Sequence, residues 1–474
     1  MGMDNGTLMS EREQLLRQAM DERILLLDGA MGTMIQQAGL AAGDFGGEAY
    51  EGCNEMLVVT RPDVIRRIHE AYLEAGADII ETNTFGATRV VLAEYGLEER
   101  AYELNVAAAR LAREAADAYS RPGKPRFVAG SMGPTTKTLS VTGGITFDEL
   151  VEAYREQASG LLAGGVDLLL VETSQDTLNV KAAGLGIEAA FREAGRRVPI
   201  VISGTIEPMG TTLAGQNIEA FYLSVEHLKP LAVGLNCATG PEFMRDHLRA
   251  IAQLATCAVS CYPNAGMPDE DGHYHESPQA LAAKMAAFAR QGWLNIAGGC
   301  CGTTPEHIRA LAEALKGIPP RRPPAEGGHA VAGIEPLFLE PDSRPLLVGE
   351  RTNVIGSRKF RRLIAEGKYE EASEIARAQV KKGAHVIDVC LADPDRDELA
   401  DMTRFLSHVV KKVKAPLMID STDPNVIEAA LKMCQGKAII NSINLEDGEK
   451  RFADVAPLAR RYGAAGVGGT IDEE

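Results

Sequence analysis

The chain is short of aromatic side chains, which make up 5% of its 474 residues and include a single tryptophan. It is also short of basic charge. Lys and Arg number 49 against 66 Asp and Glu, a formal net charge of −17. Phosphate backbones and anionic membrane surfaces both reward clustered Lys and Arg, so the balance argues against nucleic acid and against a membrane as partners. The chain has no run of about eighteen or more apolar residues, the length a bilayer span needs. Its opening stretch, MGMDNGTLMSEREQLL, lacks the apolar core of a signal peptide. Eight cysteines in a chain this long do not make a disulfide scaffold. In a reducing compartment they read as metal ligands or small buried hydrophobes. These absences predict a cytoplasmic protein.

What is present is a repeating β/α pattern, in a chain long enough for two or three domains. After a lead-in helix expected over 1–19, residues 20–317 alternate short apolar runs with longer helical stretches. The predicted strands are 24–30, 77–85, 126–133, 166–174, 199–206, 231–238, 258–265 and 294–302. Near-continuous apolar runs are what strands buried on both faces look like. The intervening segments carry apolar residues three and four apart, and one opens with Thr146 at a cap position and Glu149 three residues on. Eight such units predict a TIM barrel, with its site at the C-terminal ends of the strands.

Residues 318–344 are dense in proline and glycine and read as an interdomain linker. A second β/α series follows, with strands expected at 345–350, 385–390, 415–420, 437–442 and 464–470. Five units do not close an eight-strand barrel. The expected fold class is therefore α/β, as two tandem TIM (β/α)8-type barrels, the second (345–474) truncated after about five units, and the chain is expected to be a fragment.

Three thiols stand out. Cys237 ends the run Gly-Leu-Asn-Cys, and Cys300 and Cys301 lie in Gly-Gly-Cys-Cys-Gly. Adjacent cysteines on a regular strand point to opposite faces, but flanking glycines let the backbone turn both toward one metal. Three thiolates suit zinc and leave its fourth position open for a substrate thiol. Asn264, in Tyr-Pro-Asn-Ala-Gly, is a candidate fourth ligand when substrate is absent; the alternative is a turn asparagine capping backbone groups. A closed structural zinc with Cys261 or Cys257 as fourth ligand is a further alternative. Cys53, Cys257, Cys390 and Cys434 are expected in cores, and His273 and His275 in a solvated loop. An amino-acid substrate also needs its charged ends held. Asp28 follows the first strand, and Gly29, Ala30, Met31, Gly32 and Thr33 can present backbone N–H groups to a carboxylate. Glu81 and Glu172 end the second and fourth strands and can pair with an ammonium, Glu172 being the favoured one.

In the second half, Val-Gly-Glu-Arg-Thr-Asn, Ile-Asp-Val, Met-Ile-Asp-Ser-Thr and Ile-Asn-Ser all sit at strand ends. Carboxylates accept from amino and ring N–H groups, and an asparagine amide both donates and accepts. Glu350, Asn353, Asp388, Asp420 and Asn441 can thus form the floor of a pterin site. The alternative is acidic strand ends capping the next helix.

DGAMGT, ETNTFG, VET, GLNC and GGCCG, in that order, resemble the zinc-dependent homocysteine S-methyltransferase domain over residues 20–317. The second half, with GERTNVIGSRKF as its most specific run, is similar to the start of the methyltetrahydrofolate-binding barrel of cobalamin-dependent methionine synthases. The resemblance implies zinc on Cys237, Cys300 and Cys301, with homocysteine bound through its sulfur. It implies 5-methyltetrahydrofolate as methyl source, with Asp420 and Asn441 at pterin-contacting positions, and cobalamin as carrier. The cobalamin signature Asp-x-His-x-x-Gly is not found in the chain, so the carrier is expected on another domain or protein. Cys390 stands where many members have Asn. Two rivals differ in class: a cobalamin-independent methyltransferase using betaine or S-methylmethionine, and a non-enzymatic zinc-stabilised scaffold that docks a corrinoid protein.

Overall fold

A computed structural model describes residues 9–343, 345–445 and 448–470. The first eight residues of the expected lead-in, Arg344 of the expected linker and the last four residues of the second series lie outside the described residues. The chain divides into two compact units. One comprises residues up to 175, 182–213 and 230–325; the other comprises 326 onward with the stretches 176–181 and 214–229. Among the described residues no helix is long and apolar enough to cross a membrane.

All eight strands expected in the first series form. They are β1 (Leu25–Leu26), β2 (Ile79–Glu81), β3 (Phe127–Met132), β4 (Leu168–Ser174), β5 (Ile200–Gly204), β6 (Ala232–Asn236), β7 (Ala258–Tyr262) and β8 (Ile296–Ala297). They pair in parallel in the order β1-β8-β7-β6-β5-β4-β3-β2. A bridge between Leu27 and Ile79 brings the two ends of the sheet together. The result is an eight-stranded parallel barrel, and β3 is buried along its whole length, as its near-continuous apolar run requires.

The floor of this barrel is plugged by the helix Glu11–Glu22, whose N-terminus is capped by Ser10 accepting from the Glu13 N–H. Leu16, Ala19 and Met20 pack against Leu25, Phe127, Leu168, Ala232, Ala258 and Ile296. Arg12 pins the helix by donating to both oxygens of Asp167 at 2.9 Å. On the flank, Thr146 and Glu149 form the capping box that opens the helix Phe147–Gly164. With the floor closed by apolar side chains, polar groups collect at the opposite, C-terminal rim.

The second sheet contains β11 (Val348–Asn353), β12 (Val386–Cys390), β13 (Leu417–Asp420), β14 (Ile439–Ile443) and β15 (Ala465–Gly468), parallel and in chain order. Five parallel strands fit a barrel cut short after five β/α units. β11 lies about three residues later than the sequence pattern places it, because Val348 and Gly349 pair with Val386 and Ile387, and a bulge then carries the strand on to Asn353. Part of the Pro/Gly-rich stretch is not connecting chain. Ala330–Ala332 and Pro336–Phe338 (β9 and β10) form an antiparallel ribbon. Val331 and Leu337 of this ribbon pack on Val348, Val386, Met418, Ile439 and Ala465, at the N-terminal ends of the five strands. Both sheets are therefore sealed at the same end by a segment that precedes their first strand.

Candidate functional site

The Sγ atoms of Cys237, Cys300 and Cys301 all lie within 4.8 Å of one another. Those of Cys237 and Cys301 are 3.9 Å apart. A tetrahedral zinc with bonds of about 2.3 Å to sulfur needs its sulfurs about 3.8 Å apart, so this donor set fits that ion. The backbone explains how three such residues meet. β8 ends at Ala297, so Cys300 and Cys301 have left the strand and its alternation no longer applies. The Cys300 N–H donates to Pro263 O (2.8 Å), the Ala265 N–H to Cys301 O (2.9 Å) and the Gly299 N–H to Asp28 O (3.2 Å). A side chain at Gly299 would sit 2.4 Å from the Thr303 hydroxyl, so this turn requires glycine. Cys237 and Ala238 both take left-handed backbone conformations, with φ of 60° and 57°. Two consecutive non-glycine residues there are costly, and such strain concentrates at functional positions.

The sulfurs share protons. Hydrogen bonds from Cys237 and Cys300 hold the Cys301 thiol far below the usual thiol range. Cys261 is wholly buried with its sulfur 3.8 Å from that of Met244, and Cys257 precedes β7 at the floor end. Neither belongs to the sulfur cluster found among the described residues, so a four-cysteine site is not assembled. The Asn264 amide oxygen accepts from the Cys301 N–H at 3.1 Å. That is the backbone-capping role, and it braces the backbone of Cys301. His273 and His275 are exposed, and His275 Nε2 lies 2.6 Å from Asp269.

The carboxyl groups converge in the same barrel mouth. Asp28 is 2% exposed; its Oδ2 accepts from the Glu81 N–H at 3.0 Å, while its Oδ1 has no partner. Glu172 is buried too, accepting from the Ser131 hydroxyl (2.5 Å) and the Tyr262 hydroxyl (3.4 Å). Glu81 and Glu172 hydrogen-bond each other. Burial first, then the charge of Glu172, pushes both Asp28 and Glu81 well above the usual carboxylate range. Burial raises Glu172 as well, opposed by its hydroxyl donors. Three acids this close cannot all ionise in a dry site, so the group holds protons until a cation replaces them.

Residues 29–33 are fastened to the cysteine turn. The Ala30 N–H donates to Thr303 Oγ1 (3.2 Å), the Gly302 N–H to Thr33 Oγ1 (3.0 Å), and the Tyr72 hydroxyl to Ala30 O (3.0 Å). A Cβ at Gly29 would lie 2.8 Å from both Thr303 and Tyr72. The helix Met31–Gln37 starts here, so the N–H groups of Met31, Gly32 and Thr33 have no partner within it. Ser131, Tyr262, Asn236, Thr303 and Tyr72 were not singled out from sequence. The one available signal was Asn236, inside the Gly-Leu-Asn-Cys run.

The second sheet gathers its own acceptors at the C-terminal ends of β11–β14. Asn353 Nδ2 donates to Asp388 at 3.2 Å, and Asn441 lies beside the same carboxylate. Asp420 and Asn441 are register partners on neighbouring strands. Burial pushes Asp388 up to about 6, and the nearby charges of Asp420 and Glu350 add to it. Burial raises Asp420 also, reinforced by the charge of Glu350 and opposed by the neighbouring Cys390 thiol. Glu350 is exposed at the rim. Arg451, unremarked in the sequence, donates to the carbonyls of Ser421 (2.7 Å), Thr422 (2.6 Å) and Ser442 (3.1 Å), tying the turn after β13 to the end of β14.

Residues 25–315 match the family described as homocysteine S-methyltransferase. Residues 349–474 match that described as pterin binding enzyme. Among solved structures, the metallated form of the homocysteine methyltransferase MmuM from Escherichia coli is 26% identical, with a TM-score of 0.52, and the match covers 64% of this chain and 99% of that one. The oxidized form of the same enzyme is 26% identical, with a TM-score of 0.51, and covers 64% and 98%.

Proposed function

The chain belongs to the homocysteine S-methyltransferase family, and from that premise we propose that it transfers a methyl group to the sulfur of homocysteine, giving methionine. It carries a homocysteine methyltransferase-type domain together with a pterin-binding domain. The observation that carries the reading is the cluster of Cys237, Cys300 and Cys301 standing in one barrel mouth with Asp28, Glu81 and Glu172. Soft donors suit a thiol-binding metal, and acids suit an ammonium. Cys237, Cys300 and Cys301 would hold zinc, which would supply thiol activation by favouring the thiolate form of a substrate thiol. Glu172, Glu81 and Asp28 hold the substrate ammonium. The first-turn N–H groups of Met31, Gly32 and Thr33 hold its carboxylate.

The methyl group comes from 5-methyltetrahydrofolate bound at Glu350, Asn353, Asp388, Asp420 and Asn441. Cobalamin, carried by a domain or protein other than the described residues, serves both sites. In this reading 20–317 is the homocysteine barrel, 318–344 the connection and 345–474 the pterin barrel. A betaine or S-methylmethionine donor leaves the pterin half without a role, which favours folate.

X-ray absorption at the zinc edge of the purified chain, with and without homocysteine, tests the proposal. The expected change is from three sulfurs plus one lighter donor to four sulfurs. A shell that does not change on adding homocysteine would make the metal structural and favour the scaffold reading.

A further inference from the structure

A transfer to homocysteine sets several sulfurs side by side, and each is a nucleophile for the same methyl group. Methylating a cysteine would form an S–C bond with the sulfur's electron pair while the carbon–carrier bond breaks and its pair leaves with the carrier. The product is a neutral thioether, a poor metal ligand, so each misdirected transfer would destroy the site. The structure around the three sulfurs addresses this competition.

Asn236 is wholly buried at the end of β6, next to Cys237. Its Oδ1 accepts from the Thr173 N–H (3.0 Å) and the Ser203 hydroxyl (2.6 Å). Its Nδ2 donates to Thr173 Oγ1 at 2.7 Å and to the sulfur of Cys300 at 3.9 Å. Thr173, immediately after Glu172, is held in the left-handed region with φ of 53°. One amide thus ties the carboxylate-bearing strand to one sulfur.

Cys301 is served from the other side. In the loop after β7, Asp269 Oδ1 accepts from the N–H groups of Asp271 (3.0 Å) and His273 (2.8 Å), and Oδ2 faces His275 at 2.6 Å. The tightened loop lays Tyr274 against Gly302, where an added Cβ would be 2.3 Å from the Tyr274 Cβ. The Tyr274 hydroxyl thereby stands beside the Cys301 sulfur. Two of the three protein sulfurs therefore have a side-chain donor group beside them, and an incoming substrate sulfur brings none.

A hydrogen bond to a thiolate stabilises its lone pair and makes it a weaker nucleophile. We infer that Asn236 and Tyr274 are selectivity-determining residues that keep the methyl group off Cys300 and Cys301, so that transfer goes to the substrate sulfur. This rests on the methyltransferase reading above.

The test uses the zinc-loaded full chain and methyl iodide as electrophile, without homocysteine. Methylation at each cysteine is read by peptide mass spectrometry, with zinc content measured in parallel. Asn236→Ala should raise methylation of Cys300 about tenfold, the effect of losing one hydrogen bond to a charged group. Tyr274→Phe should do the same at Cys301 alone. Cys237, which neither side chain serves, is the internal control in both. Unchanged methylation of the matched cysteine with zinc retained would overturn the inference. So would an equal rise at all three cysteines with zinc lost, since the donors would then only hold the metal. Asn236 is deeply buried; if its variant does not fold, Tyr274→Phe, on a half-exposed loop, decides the matter. Failure of the methyltransferase reading itself would appear separately, as no change in the zinc shell on adding homocysteine.

Discussion

Asp388 yields a pH dependence that can be worked through. The carboxyl is 2% exposed, and burial, reinforced by Asp420 and Glu350, moves it to about 6. A pterin offers amino and ring N–H donors, which an ionised carboxylate accepts and a protonated one accepts poorly. Apparent affinity should then follow the ionised fraction, about nine-tenths at pH 7, a half at pH 6 and a tenth at pH 5. Between pH 7 and 5 the dissociation constant should rise about tenfold. Calorimetric titration with 6-hydroxymethylpterin measures this, because that ligand keeps one charge state across the range. Asp388→Asn should bind more weakly at neutral pH and show no slope. A flat wild-type profile, or a slope that survives in the variant, would refute the reasoning. Linkage gives a second reading. The folded pKa lies above the unfolded value, so the stability contributed by Asp388 is complete below about pH 4 and is lost as pH rises through about 6. Asp388→Asn should therefore stabilise the second unit above that pH by about 1–2 kcal/mol, allowing for solvent reaching the carboxylate from the rim. Hydrogen exchange of peptides covering Val386–Cys390 reports it.

Glu172→Gln should weaken homocysteine binding about 10–100-fold, the cost of a lost charge-assisted hydrogen bond, while zinc content stays unchanged. Calorimetry with parallel metal analysis checks both, and loss of zinc would show that the acids and sulfurs are not separable. Leu16→Ala, at 1% exposure in the barrel floor, should cost about 2–5 kcal/mol in the first unit. Urea unfolding followed by the single tryptophan, Trp293, reads it directly, and a change below about 0.5 kcal/mol would contradict the plug assigned to the helix Glu11–Glu22.

Strands were legible from sequence because burial on both faces leaves a near-continuous apolar run, as at Phe127–Met132 and Ile200–Gly204. Strand ends were less so. β8 was expected over nine residues and spans two, since Gly298 and Gly299 turn out of the sheet before the cysteines. The ribbon Ala330–Phe338 was missed because three-residue strands around Gly333 and Pro336 look like linker until a sheet end is there to receive Val331. The residues that support the site were hidden for a different reason. Ser131, Tyr262 and Asn236 act through contacts across the barrel, set by the register of strands far apart in sequence. A single strand carries no mark of them beyond a polar residue near its C-terminal end.

The two ends of the first barrel divide stability from recognition, and the imbalance at the rim specifies the ligand. At the floor, apolar side chains are buried against one another. At the rim, Asp28 Oδ1 is buried without a donor, and Glu81 and Glu172 stand against each other as like groups. Each of these arrangements costs folding free energy. The cost falls away if a cation with several N–H donors enters, because an ammonium offers three. It would satisfy Asp28 Oδ1 and replace the proton held between the two glutamates. An uncharged thiol would relieve none of this. If the rim holds a thiol that carries an ammonium, as proposed, binding should release protons from the carboxyl group as well as from the substrate sulfur. Methionine separates the two contributions, since it brings the ammonium but no thiol proton. Titrated in buffers of different ionisation enthalpy near pH 7, it should still release protons. If it releases none, the acids are already ionised and the rim does not select its ligand in this way.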